Sequence, residues 1–479
     1  MHYDIIIIGA GLGGLTAGAK LAKEGKKILL IEQHDIPGGC ATSFMRKQYT
    51  MEVGLHEMDG LHSRDLKTKI FSDLGIFDRV KFLRVPEFYR FYNTRHDIVI
   101  PHDPAEAMNI LLKSFPGEEE GIGTYFEHVL NARRITAASR DVKDKSIGAF
   151  LDEIISAEDL KLVLLGNLGY FHDDPYTLSY YYYLNAQGSY YTGGANFVKG
   201  GSRKLSDALA DIIISNGGDI RLKHEVTGII YEEDKPVGVR YRKTRGSDGI
   251  YSDRASEIIV NSSLPLLAEN LLPAGRGQEL KNAISGLEIG ASLLTVYYGF
   301  KTILKSLGNK YYSTFIFDES VKNQADIAGN NHSDFDRRSF TFVDYSQLDS
   351  ALAPEGKSVG AACCIDYPED WEDLSAEEYK FRKKKAAEII TARLDNLIPG
   401  FKEAVDHVEV ATALTVKKYT LNKKGAVYGF AQKPGKASGY LSVLPANLHI
   451  ASAWGKFGGG FSGAIYSGYM TALDILRKG

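Results

Sequence analysis

The chain has 479 residues, 57 Lys and Arg against 60 Asp and Glu, a formal net charge of −3, and 44% hydrophobic residues. That length supports two or three domains with a sizeable core, and the near-neutral balance gives no field for steering nucleic acid, which sets that class of partner aside. Three cysteines, Cys40, Cys363 and Cys364, are too few for a disulfide framework and form no C-x-x-C pair for zinc or thiol exchange. With no basic leader, lipidation signal or apolar run of ~18 residues, the expectation is a cytoplasmic protein that touches membranes at most peripherally.

Residues 3–8 form a β-branched run, the pattern of a strand buried on both faces of a parallel sheet. It stops at Gly9-Ala10-Gly11-Leu12-Gly13-Gly14, which fits G-x-G-x-x-G. Apolar residues then recur at helical spacing as far as Gly25. A second strand, 27–31, ends in Glu32, 18 residues after Gly14, followed by Gln33. Strand, glycines, helix, strand and acid in that order define a dinucleotide site. Gly9 permits the tight turn, Gly11 lets the backbone approach a pyrophosphate, and Gly14 lets helix and strand pack closely. The helix N-terminus offers free N–H groups to the anion, and Glu32 meets a ribose hydroxyl.

After Glu32 comes Gly38-Gly39-Cys40-Ala41-Thr42-Ser43. It resembles the G-G-R-x-x-[ST] loop of flavoproteins of the amine oxidase and phytoene desaturase superfamily, with Cys40 in the arginine position and Ser43 in the hydroxyl position. The Gly-Gly-Cys form is closer to the retinol saturase and carotenoid isomerase branch. The resemblance implies FAD rather than NAD, held without a covalent bond. Next, Glu52-Val53-Gly54-Leu55-His56-Glu57-Met58-Asp59 packs four ionisable side chains into one short stretch. That branch has a similar G-x-H, so His56 is the leading candidate to move a proton near the flavin, with Glu57 and Asp59 behind it. A structural histidine bonded to backbone is the alternative, and no metal site is expected.

Residues 62–195 read as mainly helical. Within them, Tyr180 to Tyr183 with Tyr190 and Tyr191 suit either a ligand tunnel or an ordinary core. From Gly200 a helix over 205–215 leads to strands at 220–222, 226–231, 237–241 and 258–260. The Glu225-Val226 step resembles the superfamily's return to its FAD domain, which implies a contact from Val226 to adenine. Residues 290–415 mix strands such as 293–298 with an amphipathic helix near 377–394, and Cys363-Cys364 reads as a pair of buried thiols.

Thr412 to Thr415, followed by Gly425-Ala426-Val427-Tyr428-Gly429, resembles the T-P-x-T…G-x-x-Y-G stretch of the same proteins. Finally a strand at 448–451 precedes Trp454, Phe457 and Gly458-Gly459-Gly460-Phe461-Ser462-Gly463, then a helix from 464 to about 476. Only 16 residues follow Gly463, too few for a second dinucleotide unit. A glycine-lined helix N-terminus remains, which in the superfamily completes the FAD site. Ala464, Ser467 and Gly468 resemble its A-x-x-S-G ending.

These readings give an α/β protein: a Rossmann-like FAD-binding domain (1–61, 196–289 and 416–479) with a discontinuous α+β substrate domain (62–195 and 290–415). Candidate cofactor contacts are Gly9, Gly11, Leu12, Gly13, Gly14, Glu32, Gln33, Gly38, Gly39, Cys40, Ser43, Val226, Trp454, Gly459, Gly460 and Phe461. Candidate catalytic residues are His56, Glu57 and Tyr428. The resemblance implies oxidoreduction at carbon–carbon bonds of an apolar polyene or isoprenoid, as desaturation, saturation or flavin-assisted isomerisation, with a quinone or another electron partner. Amine oxidation and non-enzymatic prenyl binding on the same fold are the alternatives.

Overall fold

The computed structural model describes residues 2–132, 134–135, 144–246, 249–436 and 439–478. The β-branched run forms the strand His2–Ile8, flanked on one side by Ile28–Ile31 and on the other by Tyr251–Val260, all parallel. Asp219–Arg221 extends the sheet beyond Ile28–Ile31. The long strand Tyr251–Val260 is shared along its outer edge. Its first half pairs antiparallel with Lys235–Lys243, which pairs in turn with His224–Glu232, and its last three residues pair parallel with Leu448–Ile450. The sheet therefore gathers strands from both ends of the chain.

The helix Leu12–Lys23 is buried along nearly its whole length, from Leu12 to Ala22. It lies between Arg203–Ser215 and Gly460–Lys478, and its small residues are the reason it fits there. A Cβ on Gly18 would come within 2.7 Å of Ile213 Cδ1, and one on Gly468 within 2.1 Å of the Gly13 carbonyl oxygen. The carboxyl-terminal helix begins at Gly460, four residues before the sequence reading placed it, because the glycine run already forms its first turn.

A second, seven-stranded sheet runs in the order Val405–Ala411, Ser292–Phe300, Ser358–Asp366, Phe340–Asp344, Ser313–Ile316, Tyr89–Tyr92, Asp97–Ile100. Alternation along Ser292–Phe300 sends Leu294, Val296, Tyr298 and Phe300 into a core with Ile390 and Leu394 of helix Ala376–Leu397. Leu293, Thr295 and Tyr297 point the other way, into a cavity.

The stretch 62–195 is mainly helical, as expected, and also supplies three short strands. Helices Glu119–Leu130, Ile147–Ile154 and Tyr180–Gly193 are present, but Tyr89–Tyr92 and Asp97–Ile100 join the second sheet and Phe82–Arg84 pairs with Ala195–Val198. These strands are short, three or four residues each, so period-two alternation had little length in which to show.

Candidate active site

One cavity of about 1070 Å³ runs from the glycine turn after the first strand, past the tip of the carboxyl-terminal helix, to the face of the second sheet. Gly9 turns the chain with φ +97°, a conformation other residues reach only at a cost. Gly11 caps the helix Leu12–Lys23 and no side chain bonds to its first-turn N–H groups. Gly13 has the tightest surroundings: a Cβ there would lie 1.6 Å from the Ala451 carbonyl oxygen, at the end of the strand Leu448–Ile450. The amino-terminal phosphate-type turn and the carboxyl-terminal strand thus meet backbone to backbone.

Glu32, 6% exposed, closes one end of this trough. Its Oε2 accepts the Ala10 N–H at 2.7 Å and its Oε1 accepts the His34 N–H at 2.9 Å, which fixes the carboxylate against the glycine turn. Gln33 and His34 donate to or face the Tyr419 carbonyl oxygen, so the helix Ala413–Thr420 ends over the same spot. Gly38, Gly39, Cys40, Thr42 and Ser43 form the next stretch of wall, and Val226 enters it from His224–Glu232. At the far side lie Ser452, Ala453, Trp454, Gly459, Gly460 and Phe461. Of the cofactor contacts expected from sequence, only Gly14 stands off the wall: a Cβ there would strike the Gly9 carbonyl oxygen at 2.3 Å, which is the packing role given to it.

Sequence reasoning missed three features. Asn261, at the end of Tyr251–Val260, sets its side-chain amide 3.2 Å from the Gly9 carbonyl oxygen and lines the cavity. Ser262 and Thr42 carry buried hydroxyl oxygens that line the same trough without a hydrogen-bond partner. Asn261 and Ser262 belong to no compact motif, and only the parallel pairing of their strand with the first one brings them there. Helix-terminal N–H groups with no side-chain cap, two orphaned hydroxyls, a carboxylate able to accept from a ribose hydroxyl and a Cβ-free backbone are the groups a dinucleotide requires. Cys40 contributes no charge, since burial pushes its thiol up to about 11.

The four ionisable groups of 52–59 separate into two kinds. Glu52 is 2% exposed and accepts from Ser202 Oγ at 2.6 Å, Ser202 N at 2.7 Å and Leu55 N at 3.0 Å. It ties this stretch to the start of helix Arg203–Ser215, and burial raises it to about 7. Asp59 pairs with the fully buried Lys67 at 3.1 Å and accepts from Ser462 Oγ, so it anchors the carboxyl-terminal helix. Lys67 also reaches Asp65 at 3.3 Å and Tyr466 Oη at 3.0 Å. Asp59 thus has a structural partner for each oxygen.

His56 and Glu57 face the cavity. His56 Nδ1 lies 3.0 Å from Tyr170 Oη, and burial lowers the imidazole to about 4, which keeps it neutral. Glu57 has a buried, unpartnered Oε2, and burial, with Glu87 nearby, raises it to about 8. Tyr428 lines the cavity where the backbone of Gly459 crosses it, and a Cβ on Gly459 would sit 2.4 Å from Tyr428 Cα. Trp454 is 2% exposed, its indole edge-on to Phe430 at 4.9 Å, so most of the ring serves the core.

Beyond these groups the wall turns apolar and aromatic, with Phe44, Tyr182, Tyr190, Tyr297, Phe315 and Phe317. The tyrosine run divides accordingly: Tyr182 and Tyr190 face the cavity, whereas Tyr180, Tyr183 and Tyr191 pack in the core. Cys363 and Cys364 are buried in the strand Ser358–Asp366, and burial pushes both thiols up to about 12.

A parallel sheet carrying a glycine-rich turn, roofed by a second sheet over one shared cavity, defines a dinucleotide-dependent oxidoreductase. Which one follows from comparison. The pattern of the flavin containing amine oxidoreductase family matches residues 12–476, and the chain belongs to that family. FAD is its cofactor.

The chain is 25% identical to the all-trans-retinol 13,14-reductase of Danio rerio, across 89% of this chain and 77% of that protein. It is 26% identical to the chloroplastic prolycopene isomerase of Daucus carota, across 89% and 72%. Among solved structures, a putrescine oxidase bound to putrescine superposes with a TM-score of 0.67 at 19% identity, over 100% of this chain and 99% of that one.

Proposed function

We propose that the protein is an FAD-dependent oxidoreductase acting on carbon–carbon bonds of an apolar polyene or isoprenoid, of the retinoid or carotenoid kind. One observation carries this reading: the trough that suits the dinucleotide and the aromatic compartment are a single continuous cavity. Relatives named for retinol reduction and prolycopene isomerisation support the substrate class. Bound FAD supplies or accepts hydride.

The chain's own groups do the rest. The glycine turn with Thr42, Ser262 and Glu32 holds the nucleotide. Phe315, Phe317, Tyr182 and Tyr297 take a flat apolar chain and exclude water. Electrons pass to or from a quinone or another separate partner, since the sequence carries one complete dinucleotide motif. No helix among the described residues is long and apolar enough to cross a membrane. Contact with a membrane surface is proposed as the route by which so apolar a substrate arrives.

The test is to purify the protein with its FAD and offer all-trans-retinol, prolycopene and a series of amines in parallel. The reading expects conversion of a polyene and none of the amines. Amine turnover with peroxide release, and no polyene conversion, overturns it.

A further inference from the structure

Reduction of a carbon–carbon double bond needs a hydride on one carbon and a proton on its neighbour, and the cavity wall offers few groups able to give that proton. Cys40, Cys363 and Cys364 are thiols held neutral by burial. Tyr170, Tyr190 and Tyr428 are phenols held far above their ordinary range by the same cause. His56 is neutral, with Nδ1 engaged by Tyr170. Its backbone is pinned, since Tyr312 Oη donates to the His56 carbonyl oxygen and Tyr345 Oη donates to the Leu55 carbonyl oxygen at 3.1 Å. Glu57 stands on this fixed segment with an oxygen that nothing in the described protein satisfies.

We propose, on the functional reading above, that Glu57 is the proton donor of the reaction. It rests as a carboxylic acid, with Tyr170 and His56 as positioning residues, so that the enzyme works in the direction that adds a proton to a polyene. The Tyr170 hydroxyl stands between Glu57 and His56, 3.0 Å from His56 Nδ1 and near enough to the Glu57 carboxyl to favour its carboxylate form. The groups acting on Glu57 from the surrounding elements are Glu87, Tyr170, Tyr190, Tyr312, Tyr345 and Tyr428, with no lysine or arginine among them. Nothing there favours the carboxylate except the Tyr170 hydroxyl, and burial outweighs it, raising the acid to about 8.

In the step, the Glu57 O–H bond breaks and a C–H bond forms at one carbon of the double bond. Bound reduced FAD would supply the hydride for the neighbouring carbon, and Glu57 is left as carboxylate until it regains a proton. The electrons come from whatever two-electron donor reduces the flavin, dithionite in the test below.

Two measurements on the flavin-loaded protein test this. Infrared spectra at neutral pH should show a protonated-carboxyl band that titrates with a midpoint near 8 and is missing in Glu57→Gln. Tyr170→Phe should move that midpoint upward, because it removes the one hydroxyl that favours the carboxylate.

Dithionite-reduced protein given all-trans-retinol or prolycopene in deuterated water should place two solvent deuteriums per reduced bond, one from the Glu57 carboxyl and one as hydride, because the hydride-bearing nitrogen of reduced flavin also takes its hydrogen from solvent. Glu57→Gln should lower that rate by about 10²–10⁴-fold while retaining its flavin. Absence of the band from the parent protein, or full polyene reduction by Glu57→Gln, overturns the proposal. Flavin-loaded parent protein that converts no polyene contradicts the functional reading instead, and the infrared titration then decides the state of Glu57 by itself.

Discussion

Glu32 and Glu57 are both carboxyls on the cavity wall, and they differ in what satisfies them. Glu32 accepts two backbone N–H groups, one on each oxygen, which hold it in place, whereas Glu57 has an unpartnered oxygen and meets burial and a neighbouring acid. Glu32→Ala should therefore lower FAD occupancy in equilibrium dialysis. It should also cost about 1–3 kcal/mol of stability by orphaning the Ala10 and His34 N–H groups, while Cys363→Ala leaves occupancy unchanged. For Glu57, raising the folded-state value makes protonation stabilising. That contribution is present below the ordinary glutamate range and lost as pH rises through about 8. Glu57→Gln should match the parent's stability below about pH 4 and exceed it above about pH 8, measured by urea denaturation across pH. The sequence marked both residues, but it ranked His56 ahead of Glu57. Burial, which decides between them, is set by Tyr170, Tyr312 and Tyr345 from distant segments and leaves no local trace.

Among elements, the contact of the first helix with the last segment of chain carries the site. Gly13→Ala would drive a Cβ into the Ala451 backbone oxygen, which no side-chain rotation relieves. It should cost more than the ~1–3 kcal/mol of ordinary overpacking and appear as a large fall in melting temperature with loss of FAD. The Asp59–Lys67 pair joins the carboxyl-terminal helix to the wall at its other end. Lys67 is held well above its usual range by Asp59, Tyr466 and Asp65 against the cost of its burial, and Asp59 below the usual carboxylate range by Lys67 against the same cost. A depressed carboxylate contributes stability above its unfolded value, near 3.9, and loses it as pH falls through the folded one. Asp59→Asn should thus be destabilised at neutral pH by less than the ~3–5 kcal/mol of a broken buried pair, because Asp65 stays beside Lys67. The gap should close on acidification. Long periodic elements such as Leu12–Lys23 and Ala376–Leu397 were legible from sequence. Tyr89–Tyr92 and Asp97–Ile100 were not, since pairing across the sheet, rather than local pattern, makes them strands.

At the scale of the whole molecule, the first strand and the last helix form one nucleotide trough, and the intervening chain lays an aromatic sheet face over it. The two glycine runs could be read because their chemistry is local: a turn at Gly9 and a bare helix tip at Gly460. The roof could not, because Phe315, Phe317 and Tyr297 are ordinary apolar residues until the second sheet aligns them. If cofactor and polyene share one cavity, each must sense the other. The most direct test is to titrate the oxidised, FAD-loaded protein with a polyene in the dark and without oxygen, and to follow the flavin absorption bands. A saturable change in those bands at one polyene per flavin is the expected result, and an unchanged flavin spectrum with polyene demonstrably bound would contradict the account.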